Sequence, residues 1–189
     1  MATSTLSNFK TALAFGGARP SLFDMSVSAP TAMGLGNGFA DMQSFCNVSA
    51  IPPLTVTPIE RQYFGRTVKI PGDMVFGDLN TTIINTEKFH IRNIIDKWMN
   101  GINTHVGNES YSDNNSWQGS LTLTQYTKDG ESLMTWTFVD AWPQTVAEIA
   151  LSYDTASDIE QFDVTWAYNY YTSEKGKSSN LETKYAKQV

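Results

Sequence analysis

The sequence predicts a mainly β fold, a β-sandwich or partly rolled barrel, with one principal α-helix. Three stretches carry that expectation. Residues 161–171, QFDVTWAYNYY, put Phe162, Val164, Trp166, Tyr168 and Tyr170 on one side and Asp163, Thr165, Ala167 and Asn169 on the other. That is the period-two pattern of a strand with one buried face. Around Lys128-Asp129-Gly130, two alternating runs, QGSLTLTQYT and ESLMTWTFVDAW, flank an Asp-Gly turn and read as a hairpin. Ile91, Ile94, Ile95, Trp98 and Ile102 recur at helical spacing and make one apolar stripe.

The elements follow in order. Residues 1–17 read as an N-terminal arm in which Leu6, Phe9 and Leu13 line a short amphipathic turn or two, ended by Gly16-Gly17. Phe23, Met25 and Val27 share a face of a first strand, and PTAMGLGNG is a glycine-rich loop. FADMQSFCNV is expected to return as a strand, and the prolines of IPPLTVTPIE suit a sheet edge. QYFGRTVKI and MVFGDLNTTII read as two strands joined by a turn at Pro71-Gly72-Asp73. A helix over about 87–101 follows, with Asn85 or Thr86 as its cap and Gly101 at its end. The polar stretch 103–116 reads as a long loop. After the 118–140 hairpin, AEIALSYD and residues 161–171 supply the remaining strands.

In the hairpin, Leu121 and Leu123 oppose Thr122 and Thr124, and Met134, Trp136 and Phe138 oppose Thr135 and Thr137. The candidate core is therefore Phe23, Met25, Val27, Ile91, Ile94, Ile95, Trp98, Trp136, Phe138, Phe162, Val164, Trp166 and Tyr168.

Composition narrows the function classes. The 189 residues are 41% hydrophobic and 17% charged, with a formal net charge of -6, consistent with one domain able to bury a real core. No apolar run approaches the ~18 residues that span a bilayer, and the N-terminus lacks the basic start and apolar stretch of a signal peptide. The single Cys46 excludes an internal disulfide framework. Residues 1–171 hold 9 Lys and Arg against 17 Asp and Glu, and no basic residue lies between Lys128 and Lys175. Such a surface repels nucleic acid, whose binding rests on cationic neutralisation of phosphates.

Catalytic groupings are thin. His90 and His105 have no nucleophile or metal-ligand context. Asp158 and Glu160 form a carboxylate pair, but at the start of a strand, where acids are ordinarily solvated. No catalytic, cofactor or metal residue is assigned. The face bearing Trp166, Tyr168 and Tyr170 suits a sugar-stacking platform, or, more simply, a core.

Taken in order, ARPSLF (18–23), VKIPGDMVFGDLNTTIINTEKFHIRNIIDKWMNGI (68–102) and WPQTVAEIALSYDTASDIEQFDVTWAYNYY (142–171) resemble the tail tube proteins of contractile-tailed bacteriophages, the gp19-like family of myoviruses. The likeness spans roughly residues 18–171. It implies a non-enzymatic β subunit that forms hexameric rings stacked into a hollow tube in the virion tail, made in the host cytoplasm. The implied partners are other copies of the chain, the tail sheath, the tape measure protein, a baseplate tube initiator and a tail terminator. The resemblance also implies that genomic DNA passes through without specific binding. Within that reading the 118–140 hairpin is assigned to the inner sheet, with Thr122, Thr124, Thr135 and Thr137 expected towards the lumen and Asp129 and Glu131 keeping its rim negative. Residues 172–189 run past the family core as a polar C-terminal extension. The rival readings are a baseplate initiator, the tube of a phage-derived injection device, and a carbohydrate-binding β-sandwich.

Overall fold

A computed structural model describes residues 6–13, 16–36, 38–110, 116–155 and 158–175. Among these the chain forms helices α1 (Leu6–Ala12), α2 (Met42–Phe45) and α3 (His90–Ile102). Its strands are β1 (Phe23–Ser28), β2 (Cys46–Ser49), β3 (Leu54–Tyr63), β4 (Arg66–Phe76), β5 (Leu79–Ile84), β6 (Gly119–Tyr126), β7 (Ser132–Val146), β8 (Gln161–Ala167) and β9 (Tyr170–Lys175). The fold is mainly β, as the alternating runs predict.

One antiparallel sheet runs β1-β6-β7-β8-β5-β2, with β9 also paired to β7. Its two edges approach one another, because the Cys46 thiol of β2 donates to Met25 Sδ of β1 at 3.7 Å. The sheet is therefore partly rolled. β3 and β4 form a separate two-stranded sheet.

The spine is β7. Its first half pairs β6 on one edge and β9 on the other, and its second half pairs β8. Between the halves Asp140 adopts a left-handed conformation, φ 57°. The neighbouring Asn169 ties this bend down: its backbone N–H reaches Val139 O at 3.1 Å and its side-chain amide reaches Asp140 Oδ2 at 2.9 Å. The run 161–171 thus follows β7 as one extended path interrupted at Tyr168–Asn169. The interruption shifts the alternation. Phe162, Val164 and Trp166 are buried, Tyr168 and Tyr171 pack against the core, and Tyr170 is turned out, 46% exposed.

The core lies between the rolled sheet and α3. Ile91, Ile94, Ile95 and Trp98 bury the helix stripe against Met25, Leu121, Trp136 and Phe138, while Phe23 and Val27 are partly buried beside them. The Trp98 ring packs 5.9 Å from that of Trp166 and 5.8 Å from that of Phe39. Its indole N–H donates to Trp117 O at 2.8 Å. β6 begins with glycine for this reason: a Cβ on Gly119 would lie 2.5 Å from Ser28 O and 2.7 Å from the Trp98 ring. Trp166, fully buried, donates its indole N–H to Thr81 Oγ1 at 2.9 Å, and Thr81 donates on to Val164 O. Each of these two buried indole donors therefore has an acceptor, as burial demands.

Several local expectations are corrected. FADMQSFCNV is not one strand, since Met42–Phe45 turns as α2 before Cys46–Ser49 extends. The helix starts at His90 and not 87, behind a left-handed Phe89 that makes no side-chain cap. Asn85, read as a cap, instead joins β5 to the start of β8, with its backbone N–H on Glu160 O at 2.8 Å and its side-chain amide on Glu160 Oε1 at 2.5 Å. AEIALSYD is not a strand: β7 extends through Trp142-Pro143 to Val146, and the chain then loops, with a 3-10 turn at Tyr153–Thr155. The C-terminal boundary also moves, because Thr172–Lys175 complete β9 on the edge of β7. Residues 176–189 of the expected extension lie outside the described residues, as do 1–5 of the expected arm.

Replacing Trp166 by Ala removes a fully buried indole and both its ring contact and its hydrogen bond. Urea titration of the folded chain should show a loss of about 3–5 kcal/mol. A loss under about 1 kcal/mol would contradict this packing.

Candidate assembly surfaces

Two surfaces of the chain are unusual for a lone domain. The first is the β3–β4 hairpin, which stands off the body as an arm. Its turn is Phe64-Gly65, both left-handed at φ 44° and 75°, as a two-residue hairpin loop requires. The predicted turn at Pro71-Gly72-Asp73 is instead a bulge within β4, where the register shifts between Val56 and Pro58. A Cβ on Gly72 would lie 2.5 Å from Thr57 O, so the bulge needs glycine. It also puts Pro58 opposite Pro71, where missing N–H donors do least harm. The base of the arm is held by Phe76, whose ring lies 5.4 Å from Tyr171 and 6.3 Å from Tyr168.

Beyond that base both faces of the arm are open. Pairing puts Ile59, Ile70, Arg61, Val68, Tyr63 and Arg66 on one face of its distal half, and Glu60, Lys69, Gln62 and Thr67 on the other. The second face is self-satisfied, with Lys69 Nζ 3.2 Å from Glu60 Oε1 and Gln62 Nε2 donating to Thr67 Oγ1 at 2.8 Å. The first face is apolar and cationic, and it has no cover. At the tip Phe64 is 89% exposed. Exposed apolar area of this extent marks an interaction site. The available signal in the sequence was X-Gly between two β-branched runs; a bulky Phe in a left-handed position obscured it.

The second surface is the side of the β1-β6-β7-β9 sheet that faces away from the core. Register lines up Ser26, Thr122, Thr137 and Thr172 across the four strands, and beside them Asp24, Thr124, Thr135 and Glu174. Thr124 and Thr135 face each other with 3.5 Å between hydroxyls. These two rows contain hydroxyls and carboxylates and no cation. Burial, and then the Asp24 carboxylate it bonds, pushes the Tyr126 phenol up from its ordinary value. Asp129 and Glu131 lie exposed at the tip of the β6–β7 hairpin, at one end of this face.

Other sequence candidates are not brought together. Trp166 is inside the core, so it is closed to sugar stacking, and Tyr168 is half covered, its hydroxyl donating to Gly77 O at 2.5 Å. Among the described residues no three His, Cys, Asp or Glu side chains are grouped to hold a metal ion, and no helix is long and apolar enough to cross a membrane.

The sequence model of the phage tail tube protein family matches residues 4–174. The chain belongs to that family. It is similar to the tail tube protein gp19 of Enterobacteria phage T4, 28% identical over 156 residues that cover 82% of this chain and 90% of the relative. It is also similar to the tail tube protein of Serratia phage KSP90, 22% identical over 92% of this chain and 99% of the relative. In fold it resembles a chain of the sheath–tube complex of an extracellular contractile injection system, the PVC in its extended state, with a TM-score of 0.59 and 17% identity over 92% of this chain and 99% of that one. This tail tube protein is thus a structural component of a contractile virion tail.

Its two strongly shifted groups sit at the seams of the rolled sheet. Burial, then Asp24, pushes the Cys46 thiol from 9.0 up to about 12. Burial, then Tyr171 and Asp78, pushes the Tyr168 phenol from 10.0 up to about 12. Both groups hold their protons more tightly when folded, so their contribution to stability is intact below the unfolded values and is lost as pH rises towards 12. Melting temperature should therefore fall between pH 9 and 12. Cys46 should react with a thiol reagent at pH 8 about tenfold or more slowly in the folded chain than in urea. Equal rates would contradict the placement of Cys46.

Proposed function

We propose that copies of this chain close into hexameric rings that stack as a hollow tube, with the hydroxyl rows of β1, β6, β7 and β9 lining the lumen. The observation that carries this is the chemistry of those rows. Family membership supplies a tube; the rows supply a surface suited to its inside. A channel for a polyanion must hold it nowhere. Small hydroxyls bond to water and offer phosphate no counter-charge, and carboxylates repel it. Thr122, Thr124, Thr135 and Thr137 give that neutral wall, and Asp24, Glu174, Asp129 and Glu131 keep it negative. The role is mechanical and needs no catalytic residue or cofactor.

In this reading the tube holds the tape measure protein before ejection and then conducts the genome into the host. The sheath surrounds it, and a baseplate initiator and a tail terminator meet its two ends. The uncovered arm supports the self-association this requires, since its apolar face would otherwise be left in water. The chain is made in the host cytoplasm and assembles there.

Reversing Asp129 and Glu131 to Lys places cations at the end of the hydroxyl face without touching the core. Phage carrying both changes should build tails of normal length and morphology, seen in the electron microscope, yet deliver DNA more slowly, measured by potassium efflux or one-step growth. Normal delivery by such particles would count against the lumen assignment.

A further inference from the structure

A third uncovered surface lies on the loop between β7 and β8. There Ile149, Leu151, Tyr153, Ile159 and Gln161 border a cleft of about 630 Å³, within the range that buries a small ligand. Leu151 is 84% exposed, Tyr153 fully so, and Ile159 is open as well. Asp158 and Glu160 belong to its lining, and Asp154 is exposed beside Tyr153. No basic residue occurs in this loop or anywhere from residue 129 to 174. The cleft is apolar with an anionic border.

The arm is its complement. Tyr63 and Phe64 meet edge to face at its tip, ring centroids 4.6 Å apart, so the apolar head is already ordered. Immediately behind it Arg61 and Arg66 make no ion pair among the described residues, whereas Lys69 is taken up by Glu60 on the opposite face. Aromatic and arginine side chains are those that most often dominate protein interfaces. The arm does not fill the cleft of its own chain, because Tyr63 and Phe64 at the tip and Leu151, Tyr153 and Ile159 at the cleft are all exposed.

We propose that the arm tip of one copy, Tyr63-Phe64 flanked by Arg61 and Arg66, docks in the cleft of a neighbouring copy lined by residues 149–153 and 158–161. The proposal rests on the tube reading and names the contact that holds its subunits together. The joint is heterologous: each copy uses its arm on one neighbour and offers its cleft to another. Such contacts repeat, and they close into a ring or continue along a filament. Two otherwise unexplained surfaces then account for each other, with the apolar groups supplying area and the Arg–Asp pairs fixing register.

The test uses two double variants of the full chain, Arg61→Glu with Arg66→Glu, and Asp154→Lys with Asp158→Lys. All four positions are exposed, so circular dichroism and melting should match the parent. Sedimentation velocity and negative-stain microscopy should show the parent associating and each variant alone associating about tenfold or more weakly, since like charges then face each other. Mixed one to one, the variants should recover assembly, because each reversed arm finds a reversed cleft and each native arm a native one. Assembly by either variant at the parental level, or a mixture that stays apart, would overturn the joint while leaving the tube reading intact. A parent chain that forms no assembly at high concentration would contradict the tube reading itself, and this inference with it.

Discussion

Everything in this subunit depends on β7 having two different edges and two different faces. At fifteen residues it is the longest strand among the described residues, and it pairs β6 and β9 along its first half and β8 along its second. One face, through Trp136, Phe138 and Ala141, builds the core; the other, through Thr135 and Thr137, builds the hydroxyl rows. A strand this long in a twisted sheet must bend to stay packed on both halves. The bend sits at Asp140, and Asn169 on the neighbouring path answers it with two hydrogen bonds. Across that irregularity the alternation changes face, with Tyr170 turned out and Tyr171 packed against the core.

The division of chemistry between faces follows. Core packing, with Trp98 against Trp166 and the helix stripe beneath, stabilises the subunit and leaves the opposite face free to be neutral and smooth. Much of the apolar surface that remains lies on the arm and around the cleft lined by residues 149–153 and 158–161, with Tyr170 beside the hydroxyl rows. In the proposed tube, a passive wall and adhesive contacts would fall on different parts of one chain, as a conduit built from repeated copies requires.

Much of this was legible in the sequence because the signals were local. The Asp129-Gly130 turn, the helix stripe and the alternation of 161–167 each follow from period and turn chemistry within a few residues, and the structure has β6, β7, α3 and β8 there. What was not legible depended on partners distant in sequence. The arm was missed because Phe64 is a poor left-handed residue and Gly72 looked like a better turn; only pairing across the bulge shows which glycine turns the chain. Asn85 looked like a helix cap, and its use by Glu160 is a contact across 75 residues. The change of face between Tyr168 and Tyr171 needs the bend in β7, which no pattern in 161–171 records. The family resemblance carried the function further than periodicity did.

The most direct test of the account is a cryo-EM reconstruction of the assembled protein at a resolution that traces side chains. The account predicts a hollow tube whose channel is lined by Ser26, Thr122, Thr137 and Thr172 together with their acidic neighbours. A tube whose channel is lined by other residues, with these rows on its outer surface, would contradict it.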